Sequence, residues 1–216
     1  MSLTLYFAAG SCSLPALAGL EEAGASFDAV RLVLAEGDQR SPEYLAIHPR
    51  GRVPALAVDG HAIGENAAVL TLIAQQFPAA RLLPSADLIA VGRAYELIGW
   101  FSSSVHVSFA QVFRPERFTR DESAWPALRA GGRENVLAAF AELEQRLGHG
   151  APWILGEAFS LLDPYALVFH RWAPRLEIEI ADYPAFSDHA RRTAARPSVA
   201  RALARESSPD RLLVGA

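Results

Sequence analysis

Lysine is absent from this sequence, and all 20 basic residues are arginine. The arginines are outnumbered by 24 acidic residues, which gives a formal net charge of -4. A nucleic-acid-binding domain usually carries clustered positive charge with interleaved aromatic residues, and no such cluster occurs along this chain. We therefore expect no nucleic-acid partner.

Cysteine is nearly absent too, with Cys12 as the single example. One cysteine excludes an internal disulfide and indicates a reducing compartment. The first residues lack the basic segment and apolar run of a secretory signal, and no stretch is long and charge-free enough to span a membrane. Cys12 and the six histidines show no metal-ligand spacing. We expect a cytoplasmic protein with no membrane partner and no metal.

Apolar residues, in contrast, are plentiful. They make up 51% of the 216 residues, and the mean hydropathy is +0.13. This composition supports a large buried core. A chain of this length fits either one compact unit or two small domains.

The first part of the chain alternates between strand and helix signals. A short helix with a serine cap and a proline at its first position begins at Ser41. Before it the patterns predict a strand over Leu3–Ala8, a turn at Gly10–Ser13, a helix over Leu14–Ala23 and a strand over Phe27–Val33.

Residues 48–66 combine a hairpin with the start of a helix. Val53–Val58 is an apolar run, Asp59–Gly60 is a strong two-residue hairpin signal, and His61–Ile63 is the returning strand. Glu65 and Asn66 then open an apolar-periodic stretch. Asn66 is a good N-cap, and Glu65 suits the positive end of the helix dipole. Such an N-terminus can hold a carboxylate.

Strand signals largely stop after a proline-bracketed linker at Pro78–Ser85. Ser160 and Asp163 form a capping-box-like helix start, and we interpret both as structural. Helical patterns cover Asp87–Phe113, Ala124–Leu147, the segment from Ser160, Phe186–Ala195 and Val199–Arg205.

Two segments of this chain resemble a known family. Arg50–Leu56, followed by Gly64–Val69, is similar to the glutathione-binding half of cytosolic glutathione transferases, and Gly10–Leu14 resembles the Gly-x-Cys-Ser-Leu of the bacterial beta class. The resemblance implies a thioredoxin-like α/β N-terminal domain over residues 1–80, with βαβ-α-ββα order and a four-stranded mixed sheet. It also implies an all-α domain over 87–216 and a homodimer.

The resemblance implies a glutathione site on the same segments. Val53 would bind the cysteinyl part through its backbone, before a cis bond to Pro54. Glu65 and Asn66 would hold the γ-glutamyl end, with Asn66 where the family usually has Ser. The family often has a Lys for the glycine carboxylate, and the matching loop Leu34–Gly37 lacks one. Arg40 or Arg52 is the candidate substitute.

Cys12 is the first candidate for chemistry. It lies after the first predicted strand and at the start of a helix, where backbone N–H groups and the helix dipole lower a thiol pKa. We expect either a reactive sulfur or a group that stabilises the thiolate of glutathione; a buried structural cysteine is the alternative. Ser11 is a rival, since its hydroxyl could donate to that thiolate.

His106 is the second candidate, within the helical stretch after the linker. In beta-class enzymes a His at the matching place projects into the cleft near the glutathione sulfur, whereas a lone helical His is otherwise a core or surface residue. The family has polar side chains at two matching positions of this stretch, where this chain has Gly99 and Val107. Four aromatic residues could line a hydrophobic second-substrate site or form core: Trp100, Phe101, Phe109 and Phe113.

Taken together, the sequence predicts a glutathione S-transferase that conjugates the glutathione thiolate to a small hydrophobic electrophile, with glutathione as co-substrate. Two alternatives remain. One is a glutathione-dependent thiol-disulfide reductase or lyase that uses Cys12. The other is a catalytically silent binding protein with the same fold.

Overall fold

The computed structural model describes residues 1–207, so residues 208–216 of the predicted helical domain lie outside the described part. The first part is a four-stranded mixed sheet in the order β2-β1-β3-β4. β1 pairs in parallel with β2, and β3 runs antiparallel to both β1 and β4. The predicted sheet is confirmed. Its strands are β1 (Leu3–Phe7), β2 (Asp28–Arg31), β3 (Ala55–Val58) and β4 (His61–Gly64).

The second strand is shorter than predicted. Its extent of Asp28–Arg31 compares with the expected Phe27–Val33. The N–H of Val33 donates to the side chain of Asp38 at 2.7 Å, so this group leaves the sheet ladder. Three-residue helical turns over Leu34–Glu36 and Asp38–Arg40 then lead into the next helix.

Helices cover both faces of the sheet. α1 (Leu14–Glu22) and α3 (Asn66–Gln76) pack against each other and bury the main core on one face. The short α2 (Pro42–Ile47) lies on the other, where the buried ring of Tyr44 packs with Leu32 and Ala55. The predicted βαβ-α-ββα order is therefore confirmed.

The remaining elements are helical. They are α4 (Leu88–Trp100), α5 (His106–Phe113), α6 (Trp125–Leu147), α7 (Leu162–Trp172), α8 (Pro184–Ala195) and α9 (Pro197–Ser207). No helix of residues 1–207 has both the length and the apolar character needed to cross a bilayer.

The predicted helical stretch over 87–113 is helical from Leu88 to Phe113, but its centre is not α-helical. Phe101–Val105 forms a π-helical segment between α4 and α5. Such segments are rare and mark functional sites with unusual frequency. Ser102 and Ser103 donate side-chain hydrogen bonds of 2.7 Å to the carbonyls of Ile98 and Gly99, which satisfies acceptors in the preceding turn.

α1 joins the sheet to the helical part. Its residues from Leu14 to Leu20 are all buried, and it packs on α7 and α9 as well as on α3. Glu21 accepts hydrogen bonds from Arg201 and Arg205, and Glu22 from Arg196. The helical part therefore fixes α1 and, with it, the loop that contains Cys12.

Asp163 organises the start of α7, as predicted for a structural residue. Its carboxylate accepts hydrogen bonds from the backbone N–H of Ser160 at 2.7 Å and of Ile154 at 2.9 Å. His189 Nε2 lies 2.8 Å from the same carboxylate, and both side chains are fully buried. The group is closed to solvent, so it stabilises the core.

Candidate active site

The loop between β1 and α1 places Cys12 beside Val53, before β3, and Asn66, at the start of α3. Cys12 is buried, and its Sγ donates a hydrogen bond to the carbonyl of Val53 at 3.6 Å. Burial raises the pKa of the thiol to about 12, and the lowering by the backbone N–H of Cys12 does not offset it. The expected lowered pKa is therefore wrong, because desolvation of the thiolate exceeds the benefit of the helix start.

Ser11 lies in the same loop, and its hydroxyl proton is already engaged in a hydrogen bond. Its Oγ donates to the carbonyl of Ala8 at 2.7 Å, lies 2.9 Å from Ser13 Oγ and accepts from the Ser13 N–H. A hydroxyl has one proton to donate. Donation from Ser11 to a bound sulfur would therefore require the bond to Ala8 to break.

Gly10, just before these residues, is held at both polar atoms of its backbone by the helical part. Its N–H donates to Glu206 at 3.1 Å, and its carbonyl accepts from the indole N–H of Trp172 at 2.8 Å. Arg171 pairs with the same Glu206 at 2.9 Å. Burial raises the pKa of Glu206 despite this partner. Gly10 is thus the point where α7 and α9 fix the loop of Cys12.

The segment before β3 forms the adjacent wall. The Val53-Pro54 peptide bond is cis, as the family resemblance implied. The carbonyl of Arg52 accepts a 2.6 Å hydrogen bond from the hydroxyl of the buried Tyr44. This bond fixes the backbone at Arg52 and Val53, while the Arg52 side chain extends into solvent.

The start of α3 forms the third wall. Glu65 occupies the N-cap position with φ +68°, a backbone conformation that is uncommon outside glycine. The ring of His48 packs directly against Gly64, where a β-carbon would overlap it. The Glu65 carboxylate lies 3.5 Å from Arg50 and is exposed. The first N–H groups of a helix have no partner within it, so they are open to an anion.

Asn66 does not cap this helix, contrary to the prediction. It is the first residue of α3, and its buried side-chain amide donates to the carbonyl of Cys12 at 2.9 Å. Glu65 takes the N-cap position instead. The bond joins the open N-terminus of α3 to the loop of Cys12.

His106 is the first residue after the π-helical segment. Its ring contacts that of Trp172 edge-on, with centroids 5.3 Å apart, and Trp172 in turn holds Gly10. Burial, with the positive charges of Arg117 and Arg52, lowers the pKa of His106 to about 4. His106 is therefore a neutral imidazole at physiological pH, near the Cys12 loop.

The four aromatic residues divide between core and surface. Phe101 and Phe109 are fully buried and pack on Phe169, so they are core residues. Phe113 packs on Trp172 below Arg175. Trp100 instead borders a cavity of about 420 Å³ between the α4–α5 segment and α6, which none of the predicted catalytic or glutathione-binding residues lines.

Family models match most of the chain. The glutathione S-transferase N-terminal domain matches residues 1–75, and the glutathione S-transferase C-terminal domain matches residues 113–197. A glutathione transferase homolog from Sulfitobacter, solved with bound glutathione, has 33% identity and a TM-score of 0.88, covering 94% of this chain and 98% of that one. This chain belongs to the glutathione S-transferase family.

Further relatives indicate the branch. A bacterial beta-class enzyme from Sphingomonas chungbukensis is 31% identical, with a TM-score of 0.82 over 94% of this chain and 98% of that one. Glutathione S-transferase GstA of Escherichia coli O157:H7 is 27% identical over 94% of this chain and 98% of its own length. The transferase is thus of the bacterial beta-like type.

Sequence reasoning missed several residues of this transferase's cleft. Trp172 and Glu206, which hold Gly10, come from helices more than 150 residues along the chain and carry no local signal. Arg117, whose charge helps to lower the pKa of His106 and of Cys12, lies outside every recognised motif. Within residues 1–207, no group of three acidic, His or Cys side chains is placed to hold a metal ion.

Proposed function

We propose that this transferase conjugates glutathione to a small electrophile in the cleft above Cys12. The hydrogen bond from Asn66 to the carbonyl of Cys12 carries the proposal. This bond joins the N-terminus of α3 to the loop of Cys12. The helix N-terminus suits the γ-glutamyl carboxylate of glutathione, and the loop would lie next to the glutathione sulfur. Glutathione bound there would also contact the half-buried Val53.

Each predicted residue has a specific role in this proposal. Val53, before Pro54, binds the cysteinyl backbone of glutathione. Glu65 pairs with the γ-glutamyl ammonium, and the backbone N–H of Asn66 binds its carboxylate. Arg52 pairs with the glycine carboxylate in place of the missing lysine.

Cys12 acts as a hydrogen-bond donor to glutathione in this proposal. With a pKa of about 12 its thiol stays protonated at neutral pH. A neutral S–H can turn from the Val53 carbonyl to a nearby thiolate and stabilise its charge. His106, a neutral imidazole, offers a second polar contact at the same place.

The reaction is a nucleophilic substitution. The glutathione thiol loses its proton to solvent, and the sulfur electron pair forms a C–S bond with the electrophilic carbon. With an aryl chloride, the C–Cl bond then breaks and chloride leaves with its electron pair. Positioning of the thiolate and stabilisation of its charge supply the rate enhancement.

The raised pKa of Cys12 argues against the reductase or lyase alternative. Thiol–disulfide exchange needs a thiolate at the attacking cysteine. A buried thiol with a pKa of about 12 supplies almost none at neutral pH.

Conjugation of glutathione to chlorodinitrobenzene, a neutral aryl chloride, tests the proposal. We expect turnover that saturates in glutathione, with kcat lowered about tenfold in Cys12→Ala by loss of one hydrogen bond to a charged atom and restored by Cys12→Ser. Glu134→Gln, on an exposed position of α6, is the control. Disulfide reduction without conjugation, dependent on Cys12, would instead establish the reductase.

We also infer a cytoplasmic homodimer. Leu88 and Ile89 at the start of α4 are 81% and 71% exposed, and Tyr95 lies exposed two turns along the helix from Leu88. Exposed large apolar side chains grouped on one element favour a protein contact. Sedimentation of the wild type as a dimer and of Ile89→Glu as a monomer would support this surface. A wild-type monomer would exclude it.

A further inference from the structure

We propose that His48 is a positioning residue of the glutathione site, whose ring fixes Gly64 and thereby holds the Glu65 carboxylate in place for the γ-glutamyl ammonium. This inference rests on the proposed function, because it concerns the glutathione site that the conjugation reaction uses. His48 and Gly64 lie on different segments, and only the fold brings them into contact.

The ring of His48 fills the space beside Gly64. A β-carbon at Gly64 would lie 2.7 Å from Nε2 of His48 and 3.3 Å from Nδ1, and its three nearest neighbours would all be atoms of this ring. Heavy atoms in favourable contact lie about 3.5–4.0 Å apart. Gly64 is an ordinary strand residue that pairs with Ala55 of β3. Lack of room, and not backbone conformation, therefore accounts for the glycine.

The backbone of His48 is fixed on both sides of its ring. Its N–H donates to the carbonyl of Tyr44, and its carbonyl accepts from the N–H of Gly51, both at 2.8 Å. The imidazole contacts the fully buried ring of Tyr44 edge-on, with centroids 6.4 Å apart. His48 is only 6% exposed, so it has almost no surface to offer a ligand. It therefore acts through the residues that it contacts.

Glu65 stands at the junction between strand pairing and helical bonding. Gly64, just before it, is the last residue of β4, and the carbonyl of Glu65 accepts from the N–H of Val69 at 2.9 Å. Its φ of +68° is unfavourable for a residue with a side chain, and such a conformation persists only where surrounding contacts enforce it. The ring of His48 supplies that contact on the Gly64 side.

The ion pair with Arg50 does not by itself explain the position of Glu65. The two side chains are 3.5 Å apart and more than half exposed, and water screens pairs of this kind. Burial lowers the pKa of His48, and the charge of Arg50 adds to this effect against the opposing charge of Glu65. The ring is therefore neutral at neutral pH, and its support of the junction is steric.

Removal of the ring would let this junction relax. His48→Ala leaves a space beside Gly64, into which the backbone can move while Glu65 adopts a commoner φ. Asn66 is held separately by its 2.9 Å bond to the carbonyl of Cys12, so the change is confined to the Glu65 carboxylate. Glutathione binding then weakens without any change at the reacting sulfur. Loss of such uniform binding raises KM and leaves kcat unchanged.

Two thiol substrates that differ only in one amino group test the inference. Glutathione is compared with its deaminated analogue, glutaryl-cysteinylglycine, at one fixed concentration of chlorodinitrobenzene. We expect His48→Ala to raise the KM for glutathione about tenfold, as for loss of one hydrogen bond to a charged group. The KM for the analogue, which has no ammonium for Glu65, should keep its wild-type value. His61→Ala, at the exposed start of β4, is the matched control and should change neither value.

A second substitution tests the contact itself. Gly64→Ala alone should also raise the KM for glutathione, because its methyl group overlaps the ring of His48. In the double variant His48→Ala/Gly64→Ala, the methyl group occupies the space that the ring leaves, and the KM should return toward the wild-type value. Independent effects of the two substitutions would overturn the inference.

Other results also decide the matter. An unchanged KM for glutathione in His48→Ala, or equal increases for both thiols, would overturn the inference. If His48→Ala does not fold, NMR of the wild type decides: the imidazole resonance of His48 should shift more with saturating glutathione than with the analogue, and equal shifts refute the inference. A wild type without turnover, or with the same KM for both thiols, would refute the proposed function instead.

Discussion

Glu206, in the last described helix, accepts a hydrogen bond at 3.1 Å from the backbone N–H of Gly10, two residues before Cys12. The indole of Trp172 binds the carbonyl of the same glycine. Gly10 is therefore oriented by the helical part at both backbone polar atoms. The geometry of the Cys12 loop therefore depends on residues that no thioredoxin-like segment of the chain contains.

The Glu206 contact predicts a specific pH dependence of stability. Burial raises the pKa of Glu206 above its ordinary 4.5, so the folded protein binds this proton more tightly than the unfolded chain. The contribution of Glu206 to the free energy of unfolding is then largest at low pH and falls as pH rises through the raised pKa. Glu206→Gln keeps an acceptor and cannot ionise.

Urea unfolding at pH 4.5 and pH 7.5 measures this effect. The free energy of unfolding of the wild type, relative to Glu206→Gln, should decrease between the two pH values. Glu134→Gln on the surface of α6 serves as the matched control for the loss of one carboxylate. A difference that stays constant or grows with pH would contradict the account of Glu206.

His106 should titrate far below the usual range of histidine. Its pKa is lowered to about 4, so between pH 4 and 6.5 the unfolded chain binds more protons than the folded protein. Stability contributed by the neutral ring is present above about pH 6.5 and is lost as pH falls toward 4. The full shift corresponds to roughly 3 kcal/mol at about 1.4 kcal/mol per pKa unit.

Proton NMR of the imidazole resonances gives the midpoint directly. We expect the resonance that disappears in His106→Gln to titrate near pH 4, and we expect the variant to lose less stability than the wild type between pH 7 and 5. A midpoint near 6.5 for that resonance would show that neither burial nor Arg117 acts on His106 as described.

Cys12 should react slowly with alkylating reagents. At pH 8 a thiol with a pKa of about 12 is ionised roughly a thousandfold less than an ordinary cysteine. Mass spectrometry after iodoacetamide treatment should therefore find little modification of the folded protein and rapid modification in urea. Equal rates in the two states would mean that Cys12 is an exposed reactive thiol.

Asp163 should be among the residues most sensitive to substitution. Asp163→Ala leaves the N–H groups of Ile154 and Ser160 and the ring of His189 without their acceptor in the core. Each unsatisfied buried group costs about 1–3 kcal/mol, so we expect a loss of several kcal/mol in the free energy of unfolding. Ser160→Ala, which keeps the carboxylate, should lose about 1 kcal/mol. Similar small losses for both variants would contradict the role of Asp163.

The sequence predicts the sheet well because its signals are local. Asp59–Gly60 identifies the hairpin, and alternating apolar residues identify β1. The start of α3 was found to within one residue, although Glu65 rather than Asn66 holds the N-cap position. The shift of the N-cap from Asn66 to Glu65 depends on the positive φ of Glu65, a conformation that glutamate does not favour.

The candidate site was predicted less completely, because its chemistry depends on distant residues. A position at a helix start suggests a lowered pKa for Cys12. The pKa is raised instead, because burial of the thiol has the larger effect, and burial depends on the whole fold. The π-helical segment before His106 consists of apolar and serine residues, and no sequence pattern among them distinguishes it from an α-helix.

Calorimetric titration with glutathione tests the central claim most directly. We predict binding to the wild type, affinity within a few-fold of it for Cys12→Ala, and affinity about tenfold weaker for Glu65→Gln, since one charged hydrogen bond is lost. This result would place glutathione on Val53 and the start of α3, with Cys12 as a neutral donor. A folded wild type that binds no glutathione, or binds it only as a covalent adduct of Cys12, would contradict the account.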